Sequence, residues 1–181
     1  MSELSKIKKA VFAGGCFWCT EAIFRGLKGV VEVLPGYMGG SVENPTYEQV
    51  CTGLTGHAEV IEITYNAEEI DYHLLLEVFF ATHDPTSLNR QGNDIGTQYR
   101  SEVFFIDEEQ RKIAESYIKF LEEEKIYKDV IVTEITACSQ FYLAEDYHKN
   151  YFNLNGNQPY CSAVVKPKVE KFQKKFHTYI R

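Results

Sequence analysis

The sequence predicts an α+β fold, a two-layer α/β sandwich with a ferredoxin-like (split βαβ) core and an irregular C-terminal extension. Three observations predict it. Strand-like and helix-like stretches come in the order β-α-β, then β-α-β, with a further helix and strand behind them. At 181 residues, 44% apolar and 25% charged, the chain is of a size and composition expected of a single domain over residues 1–181 with an ample core. Beyond Ala137 the periodic patterns give way to an aromatic, irregular stretch that lasts until a helix after Pro167.

Each element has its own signal. Residues 8–13 read as a first strand, and Gly14-Gly15-Cys16 turns it into a helix running through Lys28. On that helix Cys19, Ala22, Ile23 and Leu27 share one stripe, and Gly29 is a C-cap candidate. Residues 30–34 form a β-rich run, which the turn chemistry of Pro35-Gly36-Tyr37-Met38-Gly39-Gly40 is expected to break. Residues 44–50 suggest a loop leading into a short helix. Residues 57–65 alternate as a strand: Ile61, Ile63 and Tyr65 make one apolar face, and Glu62 and Thr64 lie on the other. Ala58 and Val60 add apolar surface to that second face, so the strand is expected to be covered on both sides. The spacing predicts a helix over 68–82, with Asn66 and Glu69 at capping-box spacing and Ile70, Leu74, Val78 and Phe79 inward. Asp84-Pro85 stops it, and residues 86–97 form a polar loop. Residues 102–106 predict a strand. Asp107 then caps a long helix with Ile113, Tyr117, Phe120 and Leu121 inward, and residues 130–135 predict another strand.

Composition excludes several classes. A net charge of −7 argues against a general nucleic-acid binder, whose footprint is basic. The C-terminal run Lys166, Lys168, Lys171, Lys174, Lys175 and Arg181 alternates with Val169, Phe172 and Phe176, and reads as the solvated face of a terminal helix. No apolar run approaches the length of a bilayer span. Residues 1–6 lack a signal-peptide core, so the expected compartment is the cytoplasm. Five cysteines, an odd number without a secretory signal, suggest free thiols in reducing surroundings.

Chemistry concentrates at Cys16. It stands where a helix begins, and unpaired N–H groups there favour thiolate over thiol. Phe17 and Trp18 follow at once and suggest an apolar pocket beside the sulfur. Cys16 and Cys19 form a lone C-x-x-C after a strand, the hallmark of a thioredoxin-like dithiol; zinc would need a second such pair. Glu59 shares parity with Ile61 and Ile63, so strict alternation turns its carboxyl toward the apolar side, where its pKa would rise and it could donate a proton. If the strand starts later or bulges, Glu59 is instead solvated at its end. His57 fits a core or a loop position equally. The segment from Gly92 to Ser101 is dense in hydrogen-bonding groups, although Asn93-Asp94 and its glycines also suit plain turn chemistry. Tyr47 and Tyr99 offer phenolic donors among 12 tyrosines, most of which must be structural.

Five motifs together carry a resemblance: Gly15-Cys16-Phe17-Trp18, Asn44-Pro45-Thr46-Tyr47, Gly56-His57-Ala58-Glu59, Gly92-Asn93-Asp94 through Arg100-Ser101, and Ala144-Glu145-Asp146-Tyr147-His148. In this order, from about Val11 to Cys161, the chain resembles peptide methionine sulfoxide reductase of the A type. The resemblance implies that Cys16 attacks the sulfoxide sulfur while Glu59, assisted by Tyr47 and Tyr99, protonates the departing oxygen. Phe17 and Trp18 would hold the methyl group, and Asp94 would orient the substrate or its loop. Cys16 would become a sulfenic acid that condenses with a second thiol. It further implies action on the S epimer, thioredoxin as the reductant, and no metal or organic cofactor. Family members often have glycine where this chain has Cys19, and many carry two cysteines near the C-terminus, where this chain has Cys161 alone. Cys161 is therefore the expected resolving thiol and Cys19 its rival, with Cys51 and Cys138 structural. Two other readings stay open: a thioredoxin-like disulfide oxidoreductase using Cys16 and Cys19, and a non-catalytic aromatic-pocket binding module.

Overall fold

The computed structural model describes residues 6–181, so the stretch expected to lack a signal-peptide core, residues 1–6, lies outside the described residues except for Lys6. Strand β1 (Ile7–Gly14) leads into helix α1 (Phe17–Arg25), which returns along β2 (Val30–Met38). A short helix α2 (Tyr47–Cys51) precedes β3 (Ala58–Asn66), helix α3 (Tyr72–Ala81) and β6 (Ser101–Phe105), with a two-residue hairpin pair, β4 (Arg90–Gln91) and β5 (Asp94–Ile95), between the last two. With β7 (Glu134–Ala137) and β8 (Tyr142–Leu143) from later in the chain, the sheet order is β7-β6-β1-β3-β2-β8. Its central four strands are antiparallel throughout, and their order 6-1-3-2 is the split βαβ arrangement expected from the sequence. Helix α4 (Glu108–Glu123) then carries the chain to β7 (Glu134–Ala137), which lies parallel to β6. β8 (Tyr142–Leu143) closes the opposite edge.

Alternation along the strands decides the layers. Ala10, Phe12, Ile61, Ile63, Tyr65 and Val103 face Ile23, Phe24 and Leu27 of α1 and Leu75, Leu76 and Phe79 of α3, in the main core. Phe12 stacks on Phe79 with ring centroids 4.7 Å apart. The other face is smaller: Val11, Ala13, Met38, Ala58, Val60 and Phe104 form a second cluster, covered by Cys138 and Phe141. β3 is thus apolar on both faces, as Ala58 and Val60 suggest.

The structure departs from the expected pattern in five places. β2 does not break at Pro35. The Pro35 carbonyl faces the β8 side and accepts from Ala144 N–H, so the N–H that proline lacks points to that edge and no bond to β3 is lost. Gly36 has no Cβ because the Phe141 ring lies where it would stand, 2.4 Å away. Helix α3 begins at Tyr72 under an Asp71 cap, because Asn66 spends its side chain on the turn N–H of Glu68. On α4, Asp107 caps as expected, but Phe120 is half exposed while Ala114, Tyr117 and Leu121 point inward. The strand expected over residues 130–135 forms late: β7 starts at Glu134, and Val130 is exposed. Beyond the short helix α5 (Tyr151–Leu154), the last helix starts before Pro167, since α6 (Lys166–Lys175) takes the proline into its first turn, where no N–H is needed.

Candidate active site

β1 ends at Gly14, and Gly15 turns the chain with φ +95°, a conformation that a side chain would strain; the Gln91 side chain also fills the space a Cβ would need. Cys16 is therefore delivered as the N-cap of α1, buried at 9% exposure. This is where the turn and the helix stripe place it.

The expectation of an acidified thiol fails. Burial pushes the Cys16 thiol well up, and the Cys19 thiol and the Glu59 carboxylate add to it. Only the Trp18 backbone N–H pulls the other way. The helix start is present, but removal from water outweighs it.

Glu59 lies on the helix-covered face of β3, as its parity requires, with 1% exposure. Its Oε1 accepts the Phe17 backbone N–H at 3.1 Å, so the carboxyl sits under the first turn of α1. Its Oε2 is buried without a partner. Burial, despite that N–H and helped by the charges of Asp94 and Cys19, raises its pKa from 4.5 to about 8. A shift of that size favours the protonated carboxyl at neutral pH.

Tyr47 and Tyr99 are half-buried, and after burial itself the Glu59 charge is the largest influence raising the pKa of each. Both phenols remain protonated and border the same space as the carboxyl. Tyr47 is held there twice over. Thr46 and Gln49 form a reciprocal capping box around the start of α2, and the Tyr47 N–H donates to Glu145 at 3.0 Å. Tyr99 arrives on the turn after β5, which Arg100 ties to the start of β3 by donating to the carbonyls of Thr97 and Gly56, both at 3.0 Å. Asp94 accepts from the Tyr160 hydroxyl at 2.5 Å.

The aromatic pair divides. Phe17 is buried at 1% exposure among Tyr37, Tyr47 and His148, whereas Trp18 is half-buried. The Trp18 indole stacks on Tyr151 at 3.8 Å and donates to His148 Nδ1 at 2.9 Å. That bond puts the proton of the neutral imidazole on Nε2, which is buried without a partner. Cys19 and Cys161 join Cys16 in one buried cluster, walled by Trp18, Tyr99 and Tyr160. Cys51 is exposed at the end of α2, Cys138 sits beneath the far face of the sheet, and all five thiols are free. His57 resolves as a loop brace, its Nδ1 accepting from Gly40 N–H at 3.0 Å.

Sequence reasoning missed the supports: Glu145, His148, Tyr151 and Tyr160. They lie in the C-terminal stretch without periodicity, and only the Ala144–His148 motif and the neighbour of Cys161 marked them. Among the described residues no three His, Cys, Asp or Glu side chains are grouped as a metal would need, and no helix is long and apolar enough to cross a membrane.

Known proteins supply an independent comparison. A family model described as peptide methionine sulfoxide reductase matches residues 8–180. The peptide methionine sulfoxide reductase MsrA of Sulfolobus acidocaldarius is 58% identical over 167 residues, covering 92% of this chain and 94% of that protein. Among solved structures, Mxr1 from Saccharomyces cerevisiae in reduced form superposes with a TM-score of 0.80 at 33% identity, covering 89% of this chain and 92% of that one. The same yeast protein in complex with Trx2 matches at a TM-score of 0.53 and 25% identity, over 83% and 88% of the two chains.

Proposed function

The chain belongs to the peptide methionine sulfoxide reductase family and is an enzyme that reduces methionine sulfoxide; we propose that it does so at Cys16, with Glu59 as the acid and a thioredoxin as the final reductant. The observation that carries this reading is the unpartnered Oε2 of Glu59, on a carboxyl kept protonated by burial under the helix that presents Cys16. A buried donor of this kind is costly unless a ligand completes it, and a sulfoxide oxygen is such a ligand.

The course of the reaction follows from the placement. The S epimer of methionine sulfoxide enters beside Trp18, its methyl group against the aromatic wall and its oxygen toward Glu59, Tyr47 and Tyr99. Hydrogen bonds from these three groups draw electrons from the sulfoxide sulfur. Cys16 attacks that sulfur, and Glu59 hands its proton to the oxygen. Protonation of Glu59 also removes a charge that opposes the thiolate. The sum is balanced: the Cys16 thiol and the sulfoxide become a Cys16 sulfenic acid and methionine. A second thiol then expels water to form a disulfide, and a thioredoxin dithiol reduces it. The solved complex of the yeast relative with Trx2 supports that partner, and five unpaired cysteines suit a reducing, cytoplasmic setting. Asp94, tied to Tyr160, holds the loop on the opposite rim and orients the substrate.

The family places this reaction ahead of a disulfide oxidoreductase or a binding module. The test is reduction of methionine S-sulfoxide by the wild type, Cys16→Ser and Glu59→Ala with dithiothreitol as reductant. Loss of turnover in both variants is expected. Full activity of Cys16→Ser would overturn the assignment.

A further inference from the structure

The register of β1 ends at Gly14↔Ser101 against β6 and at Phe12↔Ile61 against β3. The chain is held again from Cys16, whose carbonyl accepts the Cys19 N–H at 3.1 Å, and from Phe17, whose N–H meets Glu59 at 3.1 Å. Gly15 lies between these two anchorages, at φ +95°. Glycine populates positive and negative φ about as readily, so this residue is a swivel directly before the sulfur. Its conformation has to be chosen from outside the backbone.

Gln91 is placed to choose it. Its Cγ and Cβ lie 2.6 and 2.8 Å from where a Cβ on Gly15 would stand, so the aliphatic stem covers the open side of the swivel. The amide beyond the stem closes on one residue: Oε1 accepts the Asp84 N–H at 2.9 Å, and Nε2 donates to the Asp84 carbonyl at 2.6 Å. Asp84 is fixed in turn, because its carboxylate accepts the hydroxyls of Thr86 and Ser87 at 2.5 and 2.7 Å. Glutamine alone meets both demands. Glutamate has no donor for the Asp84 carbonyl, and asparagine is one methylene shorter. Gly14 has a different support: a Cβ there would stand 2.9 Å from the Phe79 ring and 3.4 Å from His83. The His83 ring donates to the Phe79 carbonyl at 2.6 Å and accepts from the hydroxyl of Ser101, the residue opposite Gly14, at 2.7 Å.

We propose that Gln91 is a positioning residue for the reductase step, a wedge that holds Gly15 in the conformation from which the Cys16 sulfur reaches the sulfoxide. The inference rests on the proposed role of Cys16. Attack needs the two sulfurs aligned, and a misplacement of about 1 Å can cost on the order of 10²-fold in rate. Gln91 is also paired with Asp94 across β4 and β5, so the turn before the nucleophile and the rim that carries Asp94 share one support. Glu59, Tyr47 and Tyr99 are attached by bonds that Gln91 does not make. Loss of the wedge therefore falls on the rate of attack rather than on substrate binding.

The experiment is a burst measurement. Reduced protein is mixed with excess methionine S-sulfoxide and no reductant, quenched by acid over a time course, and the methionine formed is measured per chain. A range of sulfoxide concentrations separates the maximal burst rate from half-saturation, and recycling plays no part. In parallel, Cys16 alkylation by iodoacetamide is followed on the tryptic peptide of residues 10–25, with fragments separating Cys16 from Cys19. That reagent has to reach the sulfur but needs no alignment with Glu59. Gln91→Ala should slow the burst by about ten- to a hundredfold, with half-saturation within about twofold of the wild type and alkylation unchanged or faster. Gln91→Met keeps the stem without the clamp and should recover part of the loss. Gln91→Asn should also slow the burst, and it carries the test alone if the alanine variant fails to fold. A wild-type burst rate in Gln91→Ala or Gln91→Asn overturns the proposal. So does a burst slowed in step with alkylation, which marks a support of the fold alone, or a raised half-saturation at an unchanged rate, which assigns Gln91 to binding. Gln91→Met no faster than Gln91→Ala sinks it too, since the stem is then not what holds Gly15. Absence of methionine with the wild type overturns the reductase reading itself.

Discussion

Two regions build this site by different physics. The βαββαβ core holds Cys16 and Glu59 through apolar burial: Phe12, Ile61, Ile63, Phe24 and Phe79 lie in one cluster and fix the angle at which β1 hands over to α1. The C-terminal stretch from Cys138 to Val165 has little regular structure; it buries only a few side chains, among them Ala144, Cys161 and Val165, and individual bonds set the rest of its attachment. Asn150 N–H donates to Glu21 at 3.0 Å, Tyr37 donates to Glu145 at 3.0 Å, and Trp18 donates to His148 at 2.9 Å. The core thus positions Cys16 and Glu59, the groups proposed to react, while the segment orients Trp18 and Tyr47, proposed to surround the substrate. Non-directional burial tolerates small shifts, whereas a hydrogen bond does not, so the two regions should answer mutation differently.

The largest effect is expected in the core half of the site. Glu59→Gln keeps an acceptor for the Phe17 N–H but removes the proton donor, and kcat/KM should fall by about 10²–10⁴. Wild-type activity should decline as pH rises through about 8, where the carboxyl ionises, and the residual activity of the variant should lose that limb. Stability should move in the same direction, but over a wider range of pH. The folded pKa lies above the ordinary 4.5, so the folded protein keeps a proton that the unfolded chain releases. Stability is then greatest below pH 4.5 and falls as pH climbs toward 8, by on the order of a few kcal/mol. Glu59→Gln should flatten that fall in urea titrations run at several pH values. A parallel loss of stability in both proteins would mean that Glu59 is ionised in the fold.

Next come the two kinds of attachment set against each other. Phe79→Ala removes a ring stacked on Phe12 and should cost about 3–5 kcal/mol of global stability, read as a lower urea midpoint. Glu21→Ala leaves the half-buried Asn150 N–H without its acceptor and should cost about 1 kcal/mol. Its effect should be local, with faster amide exchange confined to residues 148–153 and a raised KM. If Glu21→Ala lowers the global midpoint as far as Phe79→Ala does, the segment folds as one unit with the core and the distinction fails.

The same distinction explains what was legible in the sequence. Period-two alternation gave Glu59 its side of the sheet, and the Gly-Gly-Cys turn gave Cys16 its helix start, because both follow from local backbone geometry. The passage of β2 through Pro35 was not legible, since it depends on which neighbour a missing N–H faces. Nor was the upward shift of the Cys16 thiol, which comes first from burial in the folded core, then from nearby Cys19 and from Glu59, 43 positions on in the sequence. Glu145, His148 and Tyr160 could be found only through motifs, since each acts through one bond to a distant partner.

The smallest effect expected is at Tyr160. Its hydroxyl donates to Asp94 at 2.5 Å, and its ring meets Trp18 edge-on at 5.8 Å. Tyr160→Phe keeps the ring and removes only the bond, a loss of about 1 kcal/mol, or roughly fivefold. Glu59, Tyr47 and Tyr99 are untouched, so the chemistry at the sulfoxide oxygen is preserved. Asp94 is freed to swing, so the loss should fall on KM for methionine sulfoxide, with kcat and the pH limb near 8 kept. A fall in kcat with unchanged KM would instead place the Asp94–Tyr160 pair among the groups that act in the transition state, and the segment would then share in the chemistry assigned to the core.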